Sequence, residues 1–399
     1  MALTQRQLFL SHLAQTTDFP MSLEIVRAEG SYMYDPDGHA YLDLISGISV
    51  SNIGHRHPRV VQAIKDQVDQ YMHLMVYGEY IQSPQVKLAE KITGELDKKL
   101  DSVYFVSSGS EAIEGAMKLA KRATGRAEII HMDKSYHGST QGALSVIGSE
   151  EFKRGYRPLL PMNHSIEFNN FDHLERITTK TAAVIVEPVQ GEAGYRPPRD
   201  HYLQKLRKRC NETGTLLVFD EIQTGFGRTG KLFAHHLFGV VPDIMTIAKG
   251  MGGGMPIGAF VASQQLMSHL KENPILGHIT TFGGHPVCCA ASLASLETIL
   301  DEELVKGVVS KSQLFRELLV HDHIQEVRGQ GLMLAVQLDT FENVQKVIEH
   351  CLENGVVTDW FLFCDDALRL SPPINIAEED IRLACRVILE VVEKVYGDG

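Results

Sequence analysis

Val-Tyr-Phe-Val-Ser-Ser-Gly-Ser-Glu-Ala, residues 103–112, runs from an apolar, strand-forming stretch into a serine- and glycine-rich turn and then into a helix-forming segment. The same alternation of short β-branched runs with amphipathic stretches continues from about residue 102 to 263, the pattern of parallel strands joined by crossover helices. Strands are expected at 103–107, 129–132, 182–187, 216–220, 244–248 and 259–262. Helical spacing is clearest in Val60, Val61, Ile64, Val68, Tyr71 and Met72, and recurs in Leu203, Leu206 and Cys210. The expected fold is therefore α/β, a large doubly wound, mostly parallel sheet spanning residues 51–290. Beyond a long helix expected to begin near Pro286 the pattern becomes α+β, with a strand at 332–338 and a closing helix at 378–395, which makes 291–399 a smaller domain. The Asp-Pro-Asp-Gly centre of 32–44 reads as a hairpin turn, and residues 1–50 are expected to join that smaller domain.

The chain has 399 residues, of which 44% are hydrophobic and 22% charged, a globular composition that excludes disorder, collagen-like repeats and coiled coils. Its 50 acidic and 38 basic side chains leave a net charge of −12, which disfavours a nucleic-acid partner. The basic run at 205–209 reads as the solvated face of a helix. The apolar stretch at 182–186 is far shorter than the roughly 20 residues a membrane span needs. Residues 1–10 carry no apolar core with a small-residue cleavage site, so the cytoplasm is the expected compartment. Six cysteines without a CxxC pair suggest neither disulfides nor structural zinc. His55 with His57, and His235 with His236, have no cysteine or carboxylate cluster at ligand spacing, so no metal site is expected.

Gly225-Phe-Gly227-Arg-Thr-Gly230 matches GxGxxG, yet Asp-Glu-Ile-Gln-Thr separates it from the preceding strand and no clear helix and second strand follow, so a dinucleotide site is not read there. At 107–112 the free N–H groups of a helix start and several hydroxyls offer a phosphate cradle; a plain capping box between Ser108 and Glu111 accounts for the residues equally well. Asp220 ends the apolar strand 216–220 and so reaches the carboxyl edge of the sheet, where open α/β folds bind ligands and a buried acid needs a cation. Lys249 ends another apolar run and precedes Gly250 and the glycines at 252–254, which allow close backbone approach. A desolvated lysine there has a depressed pKa and is available as an amine nucleophile. Taken singly, each of these two residues also fits a structural ion pair. Together, phosphate cradle, acid and lysine at three strand ends suit pyridoxal phosphate.

The sequence also resembles the class III, fold-type I, pyridoxal-phosphate-dependent aminotransferases over nearly its whole length. The resemblance runs from Tyr34-Asp-Pro-Asp-Gly and Gly54-His-Arg-His-Pro to Leu368-Arg-Leu-Ser-Pro-Pro. Its most specific pieces are Gly109-Ser-Glu-Ala, Ser135-Tyr-His-Gly, Glu187-Pro-Val-Gln-Gly-Glu, Asp220-Glu-Ile-Gln-Thr-Gly, Ala248-Lys-Gly and Thr281-Phe-Gly-Gly-His-Pro. It implies that Lys249 forms the Schiff base and later moves the proton, and that Asp220 pairs with the pyridinium nitrogen. Ser108, Gly109 and Ser110 are implied to hold the phosphate, Tyr136 and Ile222 to cover the two ring faces, and Gln223 to bond the ring's phenolic oxygen. His137 and Glu187 fall in the same cofactor-binding motifs. Thr281 is implied to reach the phosphate of a neighbouring subunit, which makes the expected assembly a homodimer with shared sites.

Within the family the similarity is greatest to acetylornithine and ornithine aminotransferases, which implies a ping-pong transfer from a distal amine to 2-oxoglutarate. Arg369 is implied to grip the α-carboxylate of glutamate and Glu192 to cover it when the other substrate is bound. Ile48 stands where ornithine-specific relatives carry an aromatic residue and leans the reading towards an acylated donor. Ser139 departs from the subgroup, which has Arg there for the donor carboxylate; replacement by Arg154 or Arg157, or a donor lacking that carboxylate, both stay open. An omega-aminotransferase, and a mutase or decarboxylase on the same fold, are the alternative activities. A non-catalytic binding protein is disfavoured because both Lys249 and Asp220 are present.

Overall fold

In the computed structural model, which describes residues 3–397, the Asp-Pro-Asp-Gly turn closes a hairpin near the start of the chain. Strands β1 (Arg27–Glu29), β2 (Tyr32–Tyr34) and β3 (Ala40–Asp43) pair antiparallel in succession. Asp35 fixes the turn by accepting from the Asp37 and His39 N–H groups at 3.0 and 2.9 Å. Past β3, four consecutive residues, Ser46 to Ser49, have left-handed backbone with φ of 52°, 61°, 63° and 63°. Only one of the four is glycine, so the segment is strained and relies on its surroundings for its shape.

The central sheet has seven strands: β4 (Ser102–Val106), β5 (Glu128–Met132), β6 (Asn163–Ile166), β7 (Thr181–Val186), β8 (Leu216–Asp220), β9 (Ile244–Ile247) and β10 (Gly258–Ala262). Their order is β4-β10-β9-β8-β7-β5-β6, and every pairing is parallel except those of β10, which is antiparallel to both neighbours. All six residues of β7 are buried, as a strand covered on both faces requires. The six strands expected from their apolar runs lie within about one residue of the expected bounds. The edge strand β6, Asn-His-Ser-Ile, was not expected, because three of its four residues are polar. The helix expected through Met72 stops at Gln70, where Tyr71 turns extended and its carbonyl accepts from the Gln67 side chain.

The long helix Pro286–Asp301 crosses back to the remaining strands, β11 (Glu326–Gln330), β12 (Met333–Gln337), β13 (Val356–Val357), β14 (Asp359–Phe361) and β15 (Cys364–Leu370). Four of them form an antiparallel sheet in the order β11-β12-β15-β14. The fifth, β13, leaves that sheet and pairs parallel with β3, so the N-terminal hairpin is completed by residues from the far end of the chain. The helix Glu378–Gly397 closes the fold over its buried face of Ile381, Ala384, Cys385, Ile388 and Val392. Among the described residues, no helix is long and apolar enough to cross a membrane.

Candidate active site

Parallel pairing of β8 with β9 brings Asp220 and Lys249 to one edge of the central sheet, and β4 delivers Ser107 to Ser110 to the same edge through the antiparallel β10. These residues line a cavity of about 430 Å³ with Tyr136, His137, Gly138, Glu187, Ile222 and Gln223. Of the cofactor-binding residues expected from the sequence, only Thr281 is outside it. Thr281 is exposed and is not among the residues that line its own chain's cavity.

At the start of the helix Gly109–Thr124, one half of the capping box read at 107–112 is formed. Ser108 caps the helix by accepting from the Glu111 N–H at 3.2 Å, while the Glu111 carboxylate accepts from the Ser107 N–H at 2.6 Å. The Gly109 and Ser110 N–H groups, in the first turn, have no helical carbonyl to bond. The walls are tight: a Cβ on Gly109 would lie 2.8 Å from Ile222, and one on Gly138, whose φ is 126°, 2.1 Å from Ser110 Oγ. That hydroxyl also accepts from the Ser139 N–H at 3.3 Å, which joins the two loops.

Asp220 receives His137 Nδ1 at 2.7 Å and the Ile222 N–H at 3.0 Å. Burial opposes a charge on His137, yet the hydrogen bond and charge of Asp220 lift its pKa above the ordinary value. Glu187 accepts from the Tyr136 and Gly191 N–H groups; burial pushes its pKa up to about 8 against the opposing charge of His137. Lys249 sits in left-handed backbone, φ 48°, and burial lowers its pKa to about 8, opposed by Glu192.

Behind Gln223 lies a second charged group. Arg369 binds Glu192 through both fork nitrogens, at 3.0 and 2.7 Å, and both side chains are buried. Glu192 also receives the Leu362 N–H at 3.1 Å and Gln223 Nε2 at 3.4 Å. Burial alone raises the Glu192 pKa, but Arg369 brings it below the usual carboxylate value. Neither residue is on the cavity wall, yet both act electrostatically on Lys249.

Several expected substrate residues stand apart. Ile48 is half-buried in the left-handed segment, and Val50 rather than Ile48 lines the cavity. Ser139 is exposed and pairs with the Tyr136 hydroxyl at 3.1 Å. Arg154 and Arg157 are both exposed off the cavity, and the Arg157 fork is taken up by Glu150 at 2.8 and 2.5 Å. Asp359 was not read from the sequence; it lies 3.1 Å from Arg369 Nε. Arg228, inside the GxGxxG match, was also missed. It is fully buried, donates to the Leu332 and Pro372 carbonyls and to Asn52 Oδ1, and ties the glycine turns to the C-terminal part of the chain. His55 and His235 each meet a carboxylate, Asp43 at 2.8 Å and Glu221 at 3.0 Å.

The family model for class III aminotransferases matches residues 13–392. The chain belongs to the class III aminotransferases. This class III chain is 39% identical over 391 residues to the acetylornithine aminotransferase of Methanopyrus kandleri, covering 97% of each. It is 35% identical to a [LysW]-aminoadipate semialdehyde/glutamate semialdehyde transaminase of Sulfolobus acidocaldarius, over 94% of this chain and 95% of that one. Among solved structures, the ornithine aminotransferase of Toxoplasma gondii superposes with a TM-score of 0.91 at 28% identity, over 98% of this chain and 93% of that one. Class III aminotransferases use pyridoxal phosphate, and the cavity fits it: a buried lysine of lowered pKa, a carboxylate at the same sheet edge, and a helix start at which Gly109 leaves no room for a Cβ.

Proposed function

We propose that this aminotransferase takes an amino group from a donor with a distal amine, of the acetylornithine or ornithine kind, and passes it to a 2-oxo acid such as 2-oxoglutarate by a ping-pong route. The observation that carries this reading is the bidentate Glu192–Arg369 pair behind Gln223. One cavity must accept two unlike substrates in turn, and a permanently free arginine would favour the diacid in both half-reactions. With Glu192 on Arg369, the cavity suits a donor that brings no carboxylate to that end; with Glu192 displaced, Arg369 can take the α-carboxylate of glutamate or 2-oxoglutarate.

Pyridoxal phosphate supplies an electron sink for the bond broken at the amine carbon. Ser108, Gly109 and Ser110 would hold its phosphate, Tyr136 and Ile222 its ring faces, and Gln223 its phenolic oxygen. Asp220, steadied by His137, would keep a proton on the ring nitrogen. Lys249 Nζ would hold the cofactor and, when free, would carry the proton between carbon atoms. The working assembly is a homodimer in which Thr281 completes the partner's phosphate site, a reading supported by its exposure outside its own cavity.

A second reading, an omega-aminotransferase for amines without an α-carboxylate, has one observation in its favour: among the described residues, no arginine lines the cavity. Single-turnover rates for acetylornithine, ornithine and a matched amine lacking the carboxylate separate the two, with 2-oxoglutarate and pyruvate as acceptors. Little preference for the carboxylated donors is the outcome the second reading requires. A preference for acetylornithine of about a hundredfold or more, worth roughly 2.7 kcal/mol, would mean that another cation anchors it.

A further inference from the structure

Arg369 is gripped from behind by four successive residues. β14 runs antiparallel to β15 with Asp359 directly opposite Arg369. Thr358 Oγ1 donates to the Arg369 carbonyl at 2.7 Å, the Trp360 carbonyl accepts from Nη2 at 3.0 Å, and the Phe361 ring lies 4.7 Å from the guanidinium carbon. Asp359 Oδ1 is 3.1 Å from Nε. That contact is an ion pair out of line for a hydrogen bond, since both atoms are buried and neither has a hydrogen-bond partner among the described residues.

Opening the gate therefore poses a problem that Glu192 and Arg369 alone do not solve. When Glu192 withdraws, a buried guanidinium loses the acceptors on its front, and stripping one partner from a buried pair is strongly unfavourable. An incoming carboxylate also gains most from a fork already aimed at it. We propose that Asp359 is a positioning residue that takes over Arg369 when Glu192 leaves, holding the fork in place for an incoming 2-oxo diacid. The proposal rests on the gate reading above. Two unpartnered atoms already face each other at near bonding distance, so a small turn of the guanidinium completes their hydrogen bond as Glu192 departs. Glu192 is the exchangeable carboxylate and Asp359 the resident one.

The charged groups facing Asp359 are Arg369 from β15, Glu192 from the loop after β7, and Asp43 at the end of β3. Burial, the largest influence, raises its pKa to about 6 while Arg369 pulls it down. Asp359 is thus ionised at neutral pH and becomes protonated in mildly acid solution.

The test uses the cofactor-loaded enzyme and glutarate, a diacid that cannot react, with binding followed by calorimetry. Asp359→Asn keeps the shape and removes the charge. It is expected to weaken glutarate roughly tenfold and to raise KM for 2-oxoglutarate in step, with much smaller changes in kcat and in the distal-amine half-reaction. The loss should grow in a Glu192→Ala background, where Asp359 is the remaining anion on Arg369. Wild-type affinity for glutarate should fall between about pH 7.5 and about 5, and Asp359→Asn should lose that dependence. Equal losses in both half-reactions, or an unchanged glutarate affinity with the pH dependence intact, would overturn the proposal. Should the variant fail to fold, a flat wild-type pH series overturns it instead. Wild-type enzyme that binds no glutarate and turns over no 2-oxo diacid would sink the gate reading itself, and the role of Asp359 with it.

Discussion

Asp220 and Glu192 are both buried carboxylates facing a cationic group, and they are held in opposite ways. Asp220 takes its bonds from His137 and from the N–H two residues along its own chain, both at the rigid edge of the central sheet. Glu192 divides its oxygens among Arg369, Leu362 and Gln223, which come from three separate segments. The first arrangement has no evident alternative and suits a cofactor that stays. The second has a ready competitor, because any carboxylate presented to Arg369 offers the same two acceptors. The cavity thus holds a preorganised carboxylate in its wall, and a carboxylate with a ready competitor lies outside that wall.

Loss of Lys249 tests the fixed end with the largest expected effect. Lys249→Ala should reduce both half-reactions by roughly 10³-fold or more and remove the pyridoxyl label left by borohydride reduction. In wild-type enzyme that label should map to Lys249, and a label on another lysine would refute the assignment. Because burial brings the Lys249 pKa to about 8, cofactor attachment to apo-enzyme should accelerate as pH rises through that value. The unfolded chain, with an ordinary lysine, binds more protons between about pH 8 and 10, so this group makes stability rise with pH over that window.

The exchangeable end should respond asymmetrically. Arg369→Ala should weaken 2-oxoglutarate use by roughly a hundredfold and lower stability by about 3–5 kcal/mol, since Glu192 and Asp359 are left as buried acids without their cation. Glu192→Ala should strengthen the glutamate half-reaction and weaken the distal-amine one by roughly ten- to a hundredfold. Paired single-turnover rates check both, and equal losses in the two halves would erase the distinction between the ends. The smallest effect is expected at Thr281. Thr281→Ala should speed cofactor loss on dialysis by only a few-fold, about the value of one hydrogen bond, without changing the dimer mass in light scattering. A cofactor-loaded, active wild-type monomer would contradict the shared site.

What could be read from the sequence follows from how local each signal is. Strands β7 and β8 announce themselves because both of their faces are covered, which demands apolar runs; an acid, Glu187 or Asp220, stands at the end of each. Strand β6 gives no such signal, since an edge strand can carry Asn163, His164 and Ser165 without penalty. Lys249, Asp220 and the Ser108 to Ser110 turn each stand at a strand end and were found as such. Asp359 is ten residues from Arg369 with no motif around it, and meets it only because β14 folds back on β15 in register. Arg228 was hidden for a similar reason. Its acceptors, Asn52, Leu332 and Pro372, are far apart in the chain, so the glycine pattern around it was visible and its purpose was not.

The pairing of β3 with β13 bears on how the chain is made. Leu42 lies beside Val356, and its N–H bonds the Gly355 carbonyl at 2.8 Å. During synthesis at roughly 5–20 residues per second, the N-terminal hairpin therefore waits on the order of 15–60 s for the strand that covers its open side. Over that interval Leu42 and Leu44, fully buried in the finished molecule, belong to an uncovered β-edge of the kind that recruits other chains. Yield of active enzyme should thus depend on how quickly the ribosome reaches residue 357, and slow translation or a crowded population of nascent chains should divert product into aggregates before any catalytic group is in place.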